Sequence, residues 1–136
     1  MILTKKTILG IDMGERRMGL AMSDTELRIA QPLTTLTVDG TEVVRLQSLL
    51  LEHDIAELVI GLPRNASGQE TAQSQWIRDY VDRQIAAFNL PIHFQDESVT
   101  SVLAEQQLAS HKKNYSKADV DAYAAAIILQ DYLDCL

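Results

Sequence analysis

Three acidic residues stand at positions where folding could bring their carboxylates together. Asp12 ends an apolar segment near the start of the chain, and the pair Asp96-Glu97 ends another one. Asp121 lies one turn inside the last segment with helical spacing. Because the carboxyl ends of parallel strands meet at one edge of a sheet, where sites of α/β proteins form, we expect Asp12, Glu97 and Asp121 to converge there.

The types of these side chains predict a divalent metal site. Carboxylates held close together repel one another, so a cation is needed to keep all of them ionised. Oxygen ligands without a histidine or cysteine partner suit Mg²⁺ or Mn²⁺. Such a cluster performs metal-assisted hydrolysis of phosphodiesters. Asp12, Glu97 and Asp121 are therefore predicted to be catalytic residues and metal ligands.

Each acid also has a purely structural interpretation. Asp12 could end a strand and begin a turn, and Asp96 or Glu97 could interact with the dipole of a following helix. Asp121 could be a first-turn acid, but it shares a helix face with Ala125, which predicts that it points towards the sheet. The set of three acids, rather than any one of them, indicates a nuclease.

The elements that must position these acids alternate between strands and helices after an opening meander. Strands are predicted at residues 7–12, 18–23, 28–31, 57–62 and 91–95, with the third stopped by Pro32. Helices are predicted at about residues 100–109 and after capping boxes at Asp39/Glu42, Ser67/Glu70 and Ser116/Asp119. Because parallel strands need crossover helices, the pattern predicts an α/β fold with a mixed five-stranded sheet. Four alanines between positions 122 and 126 predict that the last helix lies close to it.

Bulk composition limits the function classes. The 136 residues fit one domain, 1–136, and no apolar segment approaches the length of a membrane span. The single cysteine and the absence of a recognisable signal peptide predict a cytoplasmic protein. The net charge of −7 argues against non-specific binding to nucleic acid, which a nuclease must nevertheless achieve.

Cations that cluster near the predicted site explain how a chain with a net negative charge could bind nucleic acid. The candidates for phosphate contact are Arg16, Arg17, Arg64, Lys112, Lys113 and Lys117. The alternative is that they are ordinary solvated charges. Trp76 and Tyr80 share one face of a helix, where a role in the core or a subunit contact is favoured over base stacking.

Four segments, in order and spacing, resemble the motifs of the YqgF family, also called RuvX and described as Holliday junction resolvase-like or as pre-16S rRNA nucleases. They read GIDMGERRMGLAMSD, VIGLPRNASGQE, DESVTSVLAE and KADVDAYAAAIILQDYLD. The resemblance spans nearly the whole chain and implies an RNase H-like fold, a bacterial cytoplasmic setting and maturation of the 16S rRNA 5′ end. It also implies that the family's acids fall on Asp12, Glu97 and Asp121.

The chain departs from the family pattern at two positions. Ser98 stands where the family usually has arginine, and Ala124 stands where RuvC-type resolvases tend to carry another metal-facing group. These departures predict that Arg16 and Arg17 carry more of the phosphate binding and that activity is low. Besides a ribonuclease acting on pre-16S rRNA, the open alternatives are a resolvase acting on branched DNA and a catalytically weak RNA-binding assembly factor. The expected state is a monomer or homodimer without a membrane partner.

Overall fold

A five-stranded sheet forms the centre of the molecule. The computed structural model describes residues 5–97, 106–110 and 114–136, with residue 97 described through its backbone alone. The strands are β1 (Thr7–Met13), β2 (Arg17–Asp24), β3 (Gln31–Thr37), β4 (Ile55–Pro63) and β5 (Ile92–Glu97), in the spatial order β3-β2-β1-β4-β5. The first three pair antiparallel, while β4 and β5 run parallel to β1. The predicted mixed α/β sheet is therefore confirmed.

The parallel half of the sheet brings three strand ends to one edge, called the carboxyl edge below. Asp12 is the penultimate residue of β1, and the ladder between β4 and β5 closes with Pro63 opposite Glu97. The backbones that carry Asp12 and Glu97 therefore end on the same side of the fold.

Helices cover both faces of the sheet. One face packs against α1 (Glu42–Glu52) and α2 (Ala72–Tyr80), which continues through a π-helical turn, Val81–Ile85, and a short 3₁₀ turn, Ala86–Phe88. The other face packs against α3 (Lys117–Asp134). Alternate β1 residues serve the two faces, because successive side chains of a strand point in opposite directions. Leu9 and Ile11 belong to the first core and Ile8 to the second.

Helix α3 lies unusually close to β1 and β2. A methyl group added at Gly10 would sit 2.7 Å from Cβ of Leu129, and one added at Gly19 would collide with the backbone carbonyl of Asp121. The four alanines between positions 122 and 126 of α3 are buried, Ala124 and Ala125 completely. The predicted close approach of this helix is confirmed, and it fixes the height of Asp121 above β2.

The prediction for the third strand was wrong. β3 begins at Gln31 and includes Pro32, whereas residues 28–30 lie in the connection before it. β3 is an edge strand, where a residue without an N–H group is tolerated, and the register shifts between Leu20 and Ala21, opposite the proline. The connection is held by Gln130 of α3, which accepts from the N–H of Ala30 at 3.0 Å.

Of the three predicted capping boxes, only that at Ser116/Asp119 forms in full, while at Asp39/Glu42 one half forms, from the N–H of Asp39 to the carboxylate of Glu42. Ser116 and Asp119 make the expected reciprocal pair at the start of α3. Helix α2 instead begins after Thr71, whose partner is Ser74 rather than the Glu or Gln that the sequence pattern requires. Helix α1 begins after Thr41, so Glu42 is its first residue, whereas the capping box required Glu42 at the third position.

That acid, Glu42, ties α1 to α2. Its buried carboxylate accepts from the N–H of Gly40 at 2.7 Å, from the N–H of Asp39 at 3.2 Å and from the hydroxyl of Tyr80 at 3.2 Å. Burial alone would raise the pKa of Glu42, but these hydrogen bonds outweigh it and lower the pKa overall. Burial, together with the charge of Glu42, raises the pKa of Tyr80 to about 12.

Two further expectations concern the remaining segments. The helix expected at about residues 100–109 lies mostly outside the described residues, of which 106–110 are helical. No helix in the described part of the chain combines the length and the apolar composition needed to cross a bilayer.

Candidate functional site

A cavity of about 670 Å³ opens at the carboxyl edge of the sheet. Its walls are the end of β1 with the turn that follows it (residues 12–17), the first turns of α2, and the first turn of α3. The cavity therefore collects residues from both faces of the sheet and from both ends of the sequence.

Asp12 and Asp121 both line this cavity. In the ladder Asp12 lies opposite Gly19 of β2, and the backbone of Asp121 rests on that same glycine. Because Gly19 has no side chain, α3 approaches β2 closely enough for both acids to share one space. Both side chains are half-buried. Two of the three predicted acids therefore line one cavity, and their role as metal ligands stays a prediction.

The third acid is described only as far as its backbone. Glu97 ends β5 at the carboxyl edge, opposite Pro63. The ladders place Ile11, Ile60 and Phe94 in one row across the sheet, which sets the register of β5 relative to β1. The register is compatible with the predicted role of Glu97, which stays a prediction. Its neighbour Asp96 is engaged elsewhere, with Arg64 at 3.0 Å.

Arg17 holds the carboxylate of Asp121. Its Nε donates to Oδ2 of Asp121 at 2.5 Å, and the two side chains are 37% and 19% exposed. A hydrogen bond between two ionised groups is shorter and stronger than a neutral one. A guanidinium therefore supplies a positive charge next to Asp121.

The other predicted phosphate-binding cations are placed differently. Arg16 lines the cavity beside Arg17. Arg64 does not line it and pairs with Asp96 at 3.0 Å and with Glu70 at 3.8 Å. Lys117 is exposed at the first position of α3. Lys112 and Lys113, like Ser98, lie outside the described residues.

Three residues of the cavity were not anticipated by the sequence analysis. Gln73 and Trp76 line it from α2, and Glu15 lines it from the turn after β1. Trp76 is half-buried against the core, as expected, but it also forms part of the cavity wall, which was not expected. The sequence could have indicated the position of Gln73 and Trp76, because a crossover helix that follows β4 must begin near the carboxyl edge.

Comparison with known proteins identifies the family. The sequence profile of RuvX, described as Holliday junction resolvase, matches residues 6–135. The chain belongs to the RuvX family. A relative from Chloroflexus aggregans, named "Putative pre-16S rRNA nuclease", is 43% identical to this RuvX chain, and the match covers 97% of the chain and 96% of the relative. A relative of the same name from Gloeothece citriformis is 40% identical over 96% of the chain and 89% of its own length.

Solved structures confirm the predicted RNase H-like fold of the RuvX chain. RuvC from T. thermophilus, solved in complex with a Holliday junction substrate, superposes with a TM-score of 0.60 and 15% identity, covering 96% of this chain and 94% of RuvC. The Fowlpox virus resolvase, solved with a Holliday junction DNA, superposes with a TM-score of 0.56 and 11% identity, covering 95% and 97%. At these identities the likeness concerns the fold alone.

The donors in the cavity of this RuvX chain fit a hard cation. The ionisable groups that line it are the carboxylates of Asp12, Glu15 and Asp121 and two guanidiniums, without a histidine or cysteine. Carboxylate oxygens of this kind suit Mg²⁺ or Mn²⁺. Over residues 5–97, 106–110 and 114–136 the side chains form no cluster of three or more potential ligands. Asp12 and Asp121 are therefore two of the three acids predicted for a metal site, and that site stays a prediction.

Proposed function

We propose that this RuvX-family chain is a metal-dependent endonuclease that processes the 5′ end of pre-16S rRNA in the cytoplasm. The observation that carries the proposal is the meeting of Asp12 and Asp121, from opposite ends of the sequence, in an open cavity that also holds Arg16 and Arg17. The choice of RNA rests on relatives at 40–43% identity that carry the name "Putative pre-16S rRNA nuclease".

Asp12 and Asp121 would hold the metal, with Glu97 as the third ligand. A bound Mg²⁺ or Mn²⁺ supplies Lewis acidity and lowers the pKa of coordinated water. The protein's own contribution is to hold the proposed ligands close together. β1 carries Asp12, α3 carries Asp121, and Gly19 keeps the two elements close.

Arg17 would have two successive partners in this proposal. In the structure it pairs with Asp121 through the 2.5 Å hydrogen bond. If Asp121 held a metal ion, the guanidinium would be free to bind another anion in the cavity. There, Arg16 and Arg17 can each bind phosphate oxygens through two N–H groups, a geometry that lysine cannot offer. The turn after β1 would thus hold the substrate phosphate beside Asp12.

Resolution of branched DNA is the second candidate. The family description, Holliday junction resolvase, and the fold shared with RuvC favour it. A third candidate, an RNA-binding assembly factor with weak catalysis, follows from Ala124, which offers no metal ligand and is buried against the sheet.

A cleavage assay with two substrates separates these candidates. Purified protein is incubated with Mn²⁺ or Mg²⁺ and either 16S rRNA carrying a 5′ extension or a four-way DNA junction, and Asp12→Asn serves as the inactive control. We expect metal-dependent cleavage of the RNA by the wild type alone. Cleavage restricted to the junction would identify a resolvase. Binding of the RNA without cleavage under either metal would identify an assembly factor.

A further inference from the structure

Trp76 is the single tryptophan of the chain, and it lines the cavity that holds the acids. One side of its ring packs against the core and against Tyr80, at a centroid distance of 5.4 Å and an interplanar angle of 30°. Tyr80 is in turn held by the carboxylate of Glu42. The indole is therefore supported from behind and still forms part of the cavity wall.

Trp76 is only half-buried, so part of its side chain is exposed. In a helix, a long side chain leans back over the preceding turn, which for Trp76 carries Ala72, an exposed residue whose side chain is only a methyl group. Gln73, also exposed, lines the same wall. The wall from α2 thus offers an aromatic surface and an amide, whereas the opposite wall offers acids and guanidiniums.

An aromatic ring in the same cavity as acids and guanidiniums matches the chemistry of a nucleotide. A nucleotide has an anionic phosphate and a flat base, and bases stack on aromatic side chains regardless of their identity. The cavity volume of about 670 Å³ falls within the range typical of small-molecule sites. A phosphate bound at the turn after β1 would place an adjoining base within the same cavity.

We propose that Trp76 is a base-stacking residue that selects an unpaired nucleotide next to the scissile phosphate, with the amide of Gln73 bonding to the base edge. The inference rests on the proposed nuclease function and deepens it, since it names single-stranded RNA as the preferred substrate. A base inside a duplex is already stacked on both faces and cannot reach a wall recessed in a cavity. An unpaired base can.

Intrinsic fluorescence provides a direct test, because Trp76 is the sole tryptophan. The full chain is titrated in Ca²⁺, a hard cation that carboxylate oxygens bind, with a single-stranded RNA of about eight nucleotides and with the same sequence as a blunt duplex, and the RNA is checked for cleavage afterwards. We expect saturable quenching by the single strand and a severalfold weaker effect of the duplex. Equal quenching by both, or quenching by neither although anisotropy of a labelled RNA shows binding, would overturn the inference.

Substitutions test the role of the ring. Trp76→Ala should weaken binding of labelled single-stranded RNA by about fivefold to a hundredfold, while Trp76→Phe should retain most of the affinity. Phe94→Ala is the matched control, because Phe94 is also partly exposed but lies outside the cavity. Circular dichroism checks that each variant folds. Equal RNA affinity of Trp76→Ala and the wild type would overturn the inference.

The two proposals fail separately. If the wild type cleaves pre-16S rRNA and Trp76→Ala does so with the same KM, the stacking role is wrong and the nuclease function stands. If Trp76→Ala loses affinity for single-stranded RNA but the wild type cleaves no substrate, the stacking role stands and the nuclease function is wrong.

Discussion

Replacing Arg17 by glutamine should strengthen metal binding. The guanidinium donates to Asp121 at 2.5 Å, so a metal ion that takes this carboxylate must first displace the arginine. Glutamine keeps much of the length and polarity of the side chain but removes the charge. The variant therefore loses the competitor for Asp121 and also a positive charge that repels the metal.

The size of the effect follows from the exposure of the pair. A hydrogen bond to a charged group contributes about 1.5–3 kcal/mol when it is buried, and an exposed ion pair contributes about 0.2–1 kcal/mol. Arg17 and Asp121 are 37% and 19% exposed, which places the pair between these limits, at about 1 kcal/mol after solvent screening. Because about 1.4 kcal/mol corresponds to a tenfold change in affinity, Arg17→Gln should bind Mn²⁺ about fivefold more tightly.

The assay is a titration with Mn²⁺, followed by calorimetry or by electron paramagnetic resonance at low ionic strength. Arg16→Gln is the matched control, because it removes the same charge from the same cavity without removing the donor to Asp121. Its affinity should change by less than about twofold, since exposed charges are screened. Arg17→Gln should also show a larger rise in Tm on adding Mn²⁺ than the wild type.

Two results would refute this reasoning. Weaker Mn²⁺ binding by Arg17→Gln would mean that the arginine orients Asp121 for the metal rather than competing with it. An equal gain in Arg16→Gln and Arg17→Gln would mean that only the net charge of the cavity matters.

Four further predictions concern the site and its supports. Asp12→Asn should abolish metal-dependent RNA cleavage with an unchanged circular dichroism spectrum, and full activity in this variant would exclude Asp12 as a ligand. Replacing both Arg16 and Arg17 by alanine should lower the slope of log affinity for RNA against log salt by roughly 1 to 2, and an unchanged slope would show that neither contacts phosphate. Gly19→Ala should lower the free energy of unfolding in urea by about 1–3 kcal/mol, because the added methyl collides with the carbonyl of Asp121; unaltered stability would contradict the close packing. Because the pKa of Tyr80 rises to about 12 in the folded protein, its hydroxyl ionises first in the unfolded chain, and the wild type should lose stability between about pH 10 and 12. Tyr80→Phe should lose less stability over this range. Urea unfolding midpoints measured against pH test this expectation.

Much of the fold could be predicted because its central strands are continuous apolar segments. β1, β2 and β4 are buried on both faces, which leaves a clear signal in the sequence. β3 is a largely exposed edge strand that contains three threonines and a proline, so its composition does not distinguish it from a loop. The start of α2 was misplaced because Ser74 acts there as the third-position partner of Thr71.

The sequence predicted the positions of Asp12 and Asp121 in the candidate site, but not the contact that Asp121 makes with Arg17. Asp12 and Asp121 follow from element ends and helix periodicity, which are local properties. The contact between Arg17 and Asp121 joins residues 104 positions apart and depends on where α3 packs along β2. That position is set by Gly19 and the alanines of α3, whose effect on packing becomes visible only in three dimensions. The position of Trp76 likewise depends on the angle at which α2 leaves the carboxyl edge.

The docking of α3 on Gly19 also has a consequence for biosynthesis. Translation delivers β1 and β2 with Asp12 early, whereas Asp121 is delivered by the last helix of the fold. A nascent chain whose α3 has not yet docked therefore lacks one of the three proposed metal ligands, and its Arg17 lacks the carboxylate of Asp121. Under the proposed function, such a chain is inert towards the RNA of the ribosome that is making it, and hydrolytic competence arises only on completion of the fold.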